Sequence, residues 1–155
     1  MSNIFIGIDG GKDTGFAVWN KSTKSLVEVK TLDFWKAINE VDNYLKLYPT
    51  LVLIIEDVSQ HSAVFKAMGT YRSTPGGINN KIGAVAKHGQ NIGRVKRETE
   101  LFIRYFELKK VDVRKIKPGK HTGSKIKKDL FKKITGFNKV TSQHGRDAAM
   151  LIYGL

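Results

Sequence analysis

Two apolar runs, each ending on an acid, constrain this chain more than any other feature. Asn3-Ile4-Phe5-Ile6-Gly7-Ile8 leads into Asp9, and Leu51-Val52-Leu53-Ile54-Ile55 leads into Glu56. Short continuous apolar runs rich in β-branched residues read as strands buried on both faces, as in the middle of a sheet. A carboxylate following such a run is costly to bury unless it is paired or holds a cation. Ligands of open α/β sheets gather at the carboxyl ends of the strands. Two acids at two such ends therefore point to a shared cation.

The remaining elements follow from periodicity and turn residues. Gly10–Asp13 is a turn, Thr14–Trp19 a strand, Asn20–Thr23 a second turn and Ser25–Thr31 a third strand, so the chain opens with an antiparallel meander. Asp33 can cap a helix running to about Leu47, with Phe34, Ala37, Ile38, Val41, Leu45 and Tyr48 on one face and Pro49 stopping it. Residues 59–80, rich in Ser, Thr, Gly and Asn, read as a loop with a short helical turn around Ser62–Met68. A long helix is predicted over Asn80–Phe106, a basic strand over Lys109–Ile116, a helix from a Ser124 cap to Thr135, and a last helix over Ser142–Tyr153. The order is β-β-β-α-β-α-β-α-α. It predicts one α/β domain over residues 1–155, without repeats or a domain boundary.

The last helix carries His144 and Asp147 one turn apart, beside the apolar stretch Ala148–Ile152. An acid on the buried side of that helix needs the same explanation as the other two. Three hard oxygen ligands suit Mg²⁺, with Mn²⁺ able to substitute. Two such ions roughly 3.5–4 Å apart can activate a water and stabilise the leaving oxygen in phosphodiester hydrolysis. Each acid also has a simpler explanation. Asp9 could start the Gly10-Gly11 turn, Glu56 or Asp57 could pair with a lysine, and Asp147 could pair with Arg146 or cap a neighbouring element.

Charge distribution points to the substrate. The chain carries +13, and all of the excess lies in one segment. Residues 1–80 hold 8 Lys/Arg and 8 Asp/Glu, residues 81–139 hold 18 and 5, and residues 140–155 hold one of each. A segment of this kind attracts a polyanion, for which nucleic acid is the first candidate and a solvated basic surface the alternative. It contains no aromatic-rich amphipathic helix of the kind that lies on anionic membranes. Apolar runs such as Leu51–Ile55 are far too short to cross a bilayer. There is no cysteine, which excludes disulfides and thiolate metal sites. With no signal-peptide pattern at the start, the expected setting is cytoplasmic.

Several stretches together resemble the RuvC-type Holliday-junction resolvases, and the resemblance runs the length of the chain. Ile6-Gly7-Ile8-Asp9-Gly10-Gly11-Lys12-Asp13-Thr14-Gly15 is similar to that family's first strand and turn, and Val52–Glu56 to its fourth strand with its glutamate. Gly89-Gln90-Asn91-Ile92-Gly93 resembles the Gly-Gln-x-x-Gly of the following helix, and His144-Gly145-Arg146-Asp147-Ala148-Ala149 the C-terminal helix. The resemblance implies a ribonuclease H-like fold: a mixed five-stranded sheet, three strands antiparallel and then parallel ones, flanked by helices. It implies a Mg²⁺-dependent endodeoxyribonuclease, a homodimer that binds a four-way DNA junction and nicks two strands symmetrically, without a small-molecule cofactor. Its catalytic and metal-binding positions would be Asp9, Glu56, His144 and Asp147. Such a compact chain resembles phage-type members, active in a bacterium or a phage-infected host cell.

Two departures qualify the match. Some members have an acid where His144 stands and others a histidine, which could ligate a metal, orient a water or assist proton transfer. The family often places an aromatic wedge soon after the glutamate, whereas here the nearest is Phe65, nine residues on. DNA contacts are expected from Phe65 and from the basic segment: Lys110, Arg114, Lys115, Lys117, Lys120, Lys125 and Lys128, with Lys109, Lys127, Lys132 and Lys133 beside them. Such side chains grip phosphates and set register without reading bases. Gly89 and Gly93, four apart on a helix, allow a second helix to approach, either in a dimer or on the chain's own sheet.

Three other functions remain open on sequence. Asp9–Gly15 also resembles the phosphate hairpin of sugar kinases and actin-like ATPases, but those need two such domains and this chain has room for one. A DNA-binding module without catalysis would use only the basic segment. A ribonuclease H proper would act on RNA–DNA hybrids. Gly119–Lys125 does not match a phosphate loop in order or spacing, and His61, His88 and His121 lack zinc spacing.

Overall fold

The computed structural model describes residues 3–57, 78–117 and 125–155. The chain runs through strands β1 (Ile4–Asp9), β2 (Thr14–Asn20) and β3 (Ser25–Leu32), helix α1 (Phe34–Leu47) and strand β4 (Val52–Glu56). Helix α2 (Ile78–Leu108), strand β5 (Asp112–Ile116) and helices α3 (Lys128–Thr135) and α4 (Gln143–Ile152) follow. The five strands form one mixed sheet in the order β3-β2-β1-β4-β5. β1 is antiparallel to β2 and β2 to β3, whereas β4 runs parallel to both β1 and β5. The expected mixed sheet of three antiparallel and then parallel strands is therefore present.

Strand alternation divides the core in two. Ile4, Ile6 and Ile8 of β1 and Leu53 and Ile55 of β4 join Phe102, Ile103 and Phe106 of α2 and Ala37, Ile38 and Val41 of α1 on one face. Phe5, Val52 and Ile54 face the other way and pack with Phe131 of α3 and with Ala148, Ala149 and Ile152 of α4. With side chains alternating every residue, Asp9 and Glu56 both belong to the α3–α4 face. Their strands are adjacent, and each acid lies one residue beyond the Ile8–Ile55 pair.

Local chemistry sets the helix ends. Asp33 caps α1 by accepting from the Lys36 amide at 2.9 Å, as its position predicts. Ser142 caps α4 by accepting from the Gly145 amide at 3.0 Å, and its hydroxyl also meets the Thr31 hydroxyl of β3. α3 ends on Gly136 in the left-handed conformation that glycine adopts without strain.

Two predicted boundaries move. β5 begins at Asp112 rather than Lys109, because Lys109 and Lys110 form the turn that closes α2. Lys110 sits at φ 61, with its amide donating to Glu107 O and the Val111 amide to Phe106 O. α3 begins at Lys128, with Lys127 in the capping position, and the expected Ser124 cap lies outside the described residues. The turn expected around Ser62–Met68 lies outside them as well. Among the described residues no helix is long and apolar enough to cross a membrane.

Candidate metal centre

The site is built where α4 lies against the carboxyl end of β1. Two glycines permit that approach. A Cβ on Gly7 of β1 would run into the carbonyl oxygen of Ala148, and one on Gly15 of β2 into that of His144. Both glycines belong to the α4 face, and Gly15 is the strand partner of Asp9. Gly145 continues the contact from the helix side, where a Cβ would come within 3.1 Å of Lys30 O. The backbone of α4 therefore rests on bare strand backbone, and its first turn reaches over Asp9.

As a result, Asp9, His144 and Asp147 come together. One potential ligand atom from each lies within 4.8 Å of those of the other two. His144 Nδ1 is 3.0 Å from Asp9 Oδ2. Asp9 is largely enclosed, with 14% of its side chain exposed, whereas half of the His144 side chain is open to solvent. Burial pushes the Asp9 carboxyl above its ordinary range, and the neighbouring charge of Asp147 adds to the rise. The hydrogen bond and charge of His144 pull in the opposite direction. An acid that is hard to ionise unaided, a second carboxylate and an imidazole nitrogen form a donor set that fits a divalent cation such as Mg²⁺ or Mn²⁺.

Glu56 is not part of this 4.8 Å cluster. It stands at the neighbouring strand end with the same facing as Asp9 and is paired in register with Ile116 of β5.

Two of the simpler explanations do not apply. Asp9 does not hold the turn that follows it, because the Thr14 hydroxyl does so by donating to Gly11 O at 3.0 Å. Arg146 does not pair with Asp147. Its guanidinium donates to Ile126 O, to Thr141 and to Gln143 Oε1, while Asp147 Oδ1 accepts from Gln143 Nε2 at 2.7 Å.

The basic segment divides into paired and open cations. Arg114 is held by Asp112 at 2.8 Å, Lys115 by Glu107 at 2.9 Å and Lys109 by Asp42 at 2.7 Å. Lys110, Lys117, Lys125 and Lys128 are exposed, with no ion pair among the described residues. Lys117 follows Ile116, the strand partner of Glu56. Lys125 and Lys127 flank Ile126, whose carbonyl receives Arg146. Lys117 and the Lys125–Lys128 stretch therefore flank the carboxylate end of the sheet, whereas Lys110, expected to contact DNA with them, precedes β5 and stands at the opposite end. Lys132 and Lys133 fall in the last turn of α3, where cations suit the helix dipole. Lys120 and Phe65 lie outside the described residues.

Sequence reasoning missed three participants. Gly15 and Gly7 set the seat of α4, and their signal was small residues on the acid-bearing strands. Gln143 touches Asp147, and its signal was the four-residue spacing that brings helical side chains together. A separate feature lies on the other sheet face, behind the β1–β2 turn, in a chamber of about 10 Å³ lined in part by Gly10, Gly11, Glu98 and Thr99. There Thr99 Oγ1 and Glu98 Oε2 have no hydrogen-bond partner among the described residues. At Gly89 and Gly93, no described atom stands within 4 Å of where a Cβ would sit, so tight packing on the chain's own sheet does not explain them.

Neither a protein-family model nor a curated protein matches this chain.

Proposed function

We propose that this protein is a ribonuclease H-like, metal-dependent endonuclease of RuvC type that hydrolyses phosphodiester bonds in branched DNA, acting as a homodimer on four-way junctions. The observation that carries the reading is the meeting of Asp9, His144 and Asp147 at the carboxyl end of β1. Those are three of the four positions that the resemblance names. Glu56, the fourth, stands at the adjoining strand end of the same sheet face. The exposed lysines around that end give a phosphate backbone something to rest on, and the sheet has the strand directions that the resemblance implies.

Asp9, Asp147 and His144 would hold Mg²⁺ or Mn²⁺, with Glu56 completing the acidic end of the sheet. The bound cation would supply charge to offset the phosphate's and would lower the pKa of a coordinated water. The chain's own groups do the rest. Lys117, Lys125 and Lys128 hold phosphates and orient the strand. With Nδ1 engaged by Asp9, the His144 ring keeps Nε2 for ligation or for taking a proton from water.

The test is cleavage of a labelled four-way junction, a linear duplex and an RNA–DNA hybrid, each with Mg²⁺ or with EDTA. Paired nicks near the branch, abolished by EDTA, are the expected result. Cleavage confined to the RNA strand would make this a ribonuclease H, and binding of DNA without cutting would make it a binding module. A monomer by sedimentation with junction DNA present would remove paired incision.

A further inference from the structure

The hydrogen bonds around Asp147 form a chain with a direction. Gln143 Nε2 donates to Asp147 Oδ1 at 2.7 Å, and Gln143 Oε1 accepts from Arg146 Nη2 at 2.8 Å. A guanidinium only donates and an ionised carboxylate only accepts. The Gln143 amide therefore has one orientation that serves both neighbours, and Arg146 imposes it.

Arg146 is itself fixed. It is 9% exposed, with Nε donating to Ile126 O at 3.0 Å and Nη1 to Thr141 O at 2.9 Å. It makes no ion pair among the described residues, so a buried cation is satisfied by uncharged carbonyl, amide and hydroxyl oxygens. Such an arrangement keeps the guanidinium from competing with a metal ion for the neighbouring carboxylate.

We infer that Gln143 is a positioning residue for Asp147, oriented by Arg146. It holds Oδ1 by one hydrogen bond and leaves Oδ2 for the cation. Partners one step behind metal ligands commonly set ligand orientation, and their loss costs about 10–100-fold in metal affinity. Arg146 also anchors Ile126, between the exposed Lys125 and Lys127, so the segment that would meet phosphates is tied through two side chains to a metal-binding carboxylate. The inference rests on the reading of Asp147 as a metal ligand.

Mn²⁺ titration by calorimetry tests it on the unaltered chain, on Gln143→Met and on Asp147→Asn. Gln143→Met keeps length and helix compatibility but removes the donor. Its Mn²⁺ affinity should fall about 10–100-fold. The Mn²⁺ concentration for half-maximal junction cleavage should rise in step, while cleavage at saturating Mn²⁺ recovers toward that of the unaltered chain. A purely structural role would not produce that split. If Gln143→Met does not fold by circular dichroism, Gln143→Asn, one methylene too short to span both neighbours, carries the same test. Unchanged Mn²⁺ affinity in a folded variant, with Asp147→Asn impaired, overturns the positioning role alone. Equal affinity in all three proteins overturns the metal-ligand reading as well.

Discussion

The α4–β1 contact and the β5–α3 margin solve different problems with opposite materials. At the first, backbone lies on backbone across Gly7 and Gly15, the helix cap is tied to β3, and an acid is enclosed beneath a histidine. At the second, cations stand exposed on an edge strand and around the start of α3, two of them, Arg114 and Lys115, already held by neighbouring acids. A group that must meet a small cation has to be held to fractions of an ångström, and close packing does that. A group that meets a phosphate backbone needs only charge and reach. On the proposed reading, chemistry belongs to the first region and affinity to the second.

The sharpest way to break the contrast is Asp9→Asn. Cleavage should fall below detection while junction binding persists, and a variant that still cuts would remove Asp9 from the site. The same variant probes the cost of the enclosed acid. Because burial raises the Asp9 pKa in the folded state, the favourable contribution of its carboxyl is present below the unfolded value, near 3.9, and is lost as pH rises through the folded one. In EDTA at pH 7, Asp9→Asn should therefore melt above the unaltered chain, with the gap narrowing toward pH 4. Thermal denaturation at both pH values checks the sign.

Next in size is Gly15→Ala. Its methyl group would strike the His144 carbonyl, so a loss on the order of 1–3 kcal/mol is expected, with cleavage falling further as α4 lifts from Asp9. Urea unfolding alongside a cleavage assay separates the two effects, and a stable, active variant would show that the seat of α4 is not needed.

Smaller effects belong to the margin. Lys125→Ala and Lys128→Ala should each weaken binding to all DNA alike and reduce the slope of log affinity against log salt by about 0.9. Arg114→Ala, which removes a cation already shared with Asp112, should change that slope less. If Arg114 matters more than the open lysines, the division into paired and open cations is wrong. The smallest expected effect is that of Thr99→Val. Removing a buried hydroxyl that has no partner among the described residues, while keeping its shape, should leave stability unchanged or slightly raised. A loss above about 1 kcal/mol in urea unfolding would mean that the hydroxyl is satisfied after all.

Much of the fold was legible because it is local. The continuous apolar runs before Asp9 and Glu56 mark the two central strands, and Asp33 announces the helix it caps. Boundaries were missed where local signals mislead. Lys110 takes a left-handed conformation that glycine more often supplies, so the turn after α2 read as strand.

Within the candidate site, the sequence by itself determined which residues are chemically fit to bind a cation, where they sit on their elements, and that the surplus charge lies in one segment. Helical and strand periodicity carry that information over a few residues. Only the tertiary structure decided that His144 stands over Asp9, that Glu56 stays outside their 4.8 Å cluster, and that Gln143 rather than Arg146 touches Asp147. The His144–Asp9 contact spans 135 positions and depends on how closely one backbone can approach another. Here the absence of a Cβ on Gly7 and Gly15 sets that distance, and it acquires meaning only once the helix and the strands are packed.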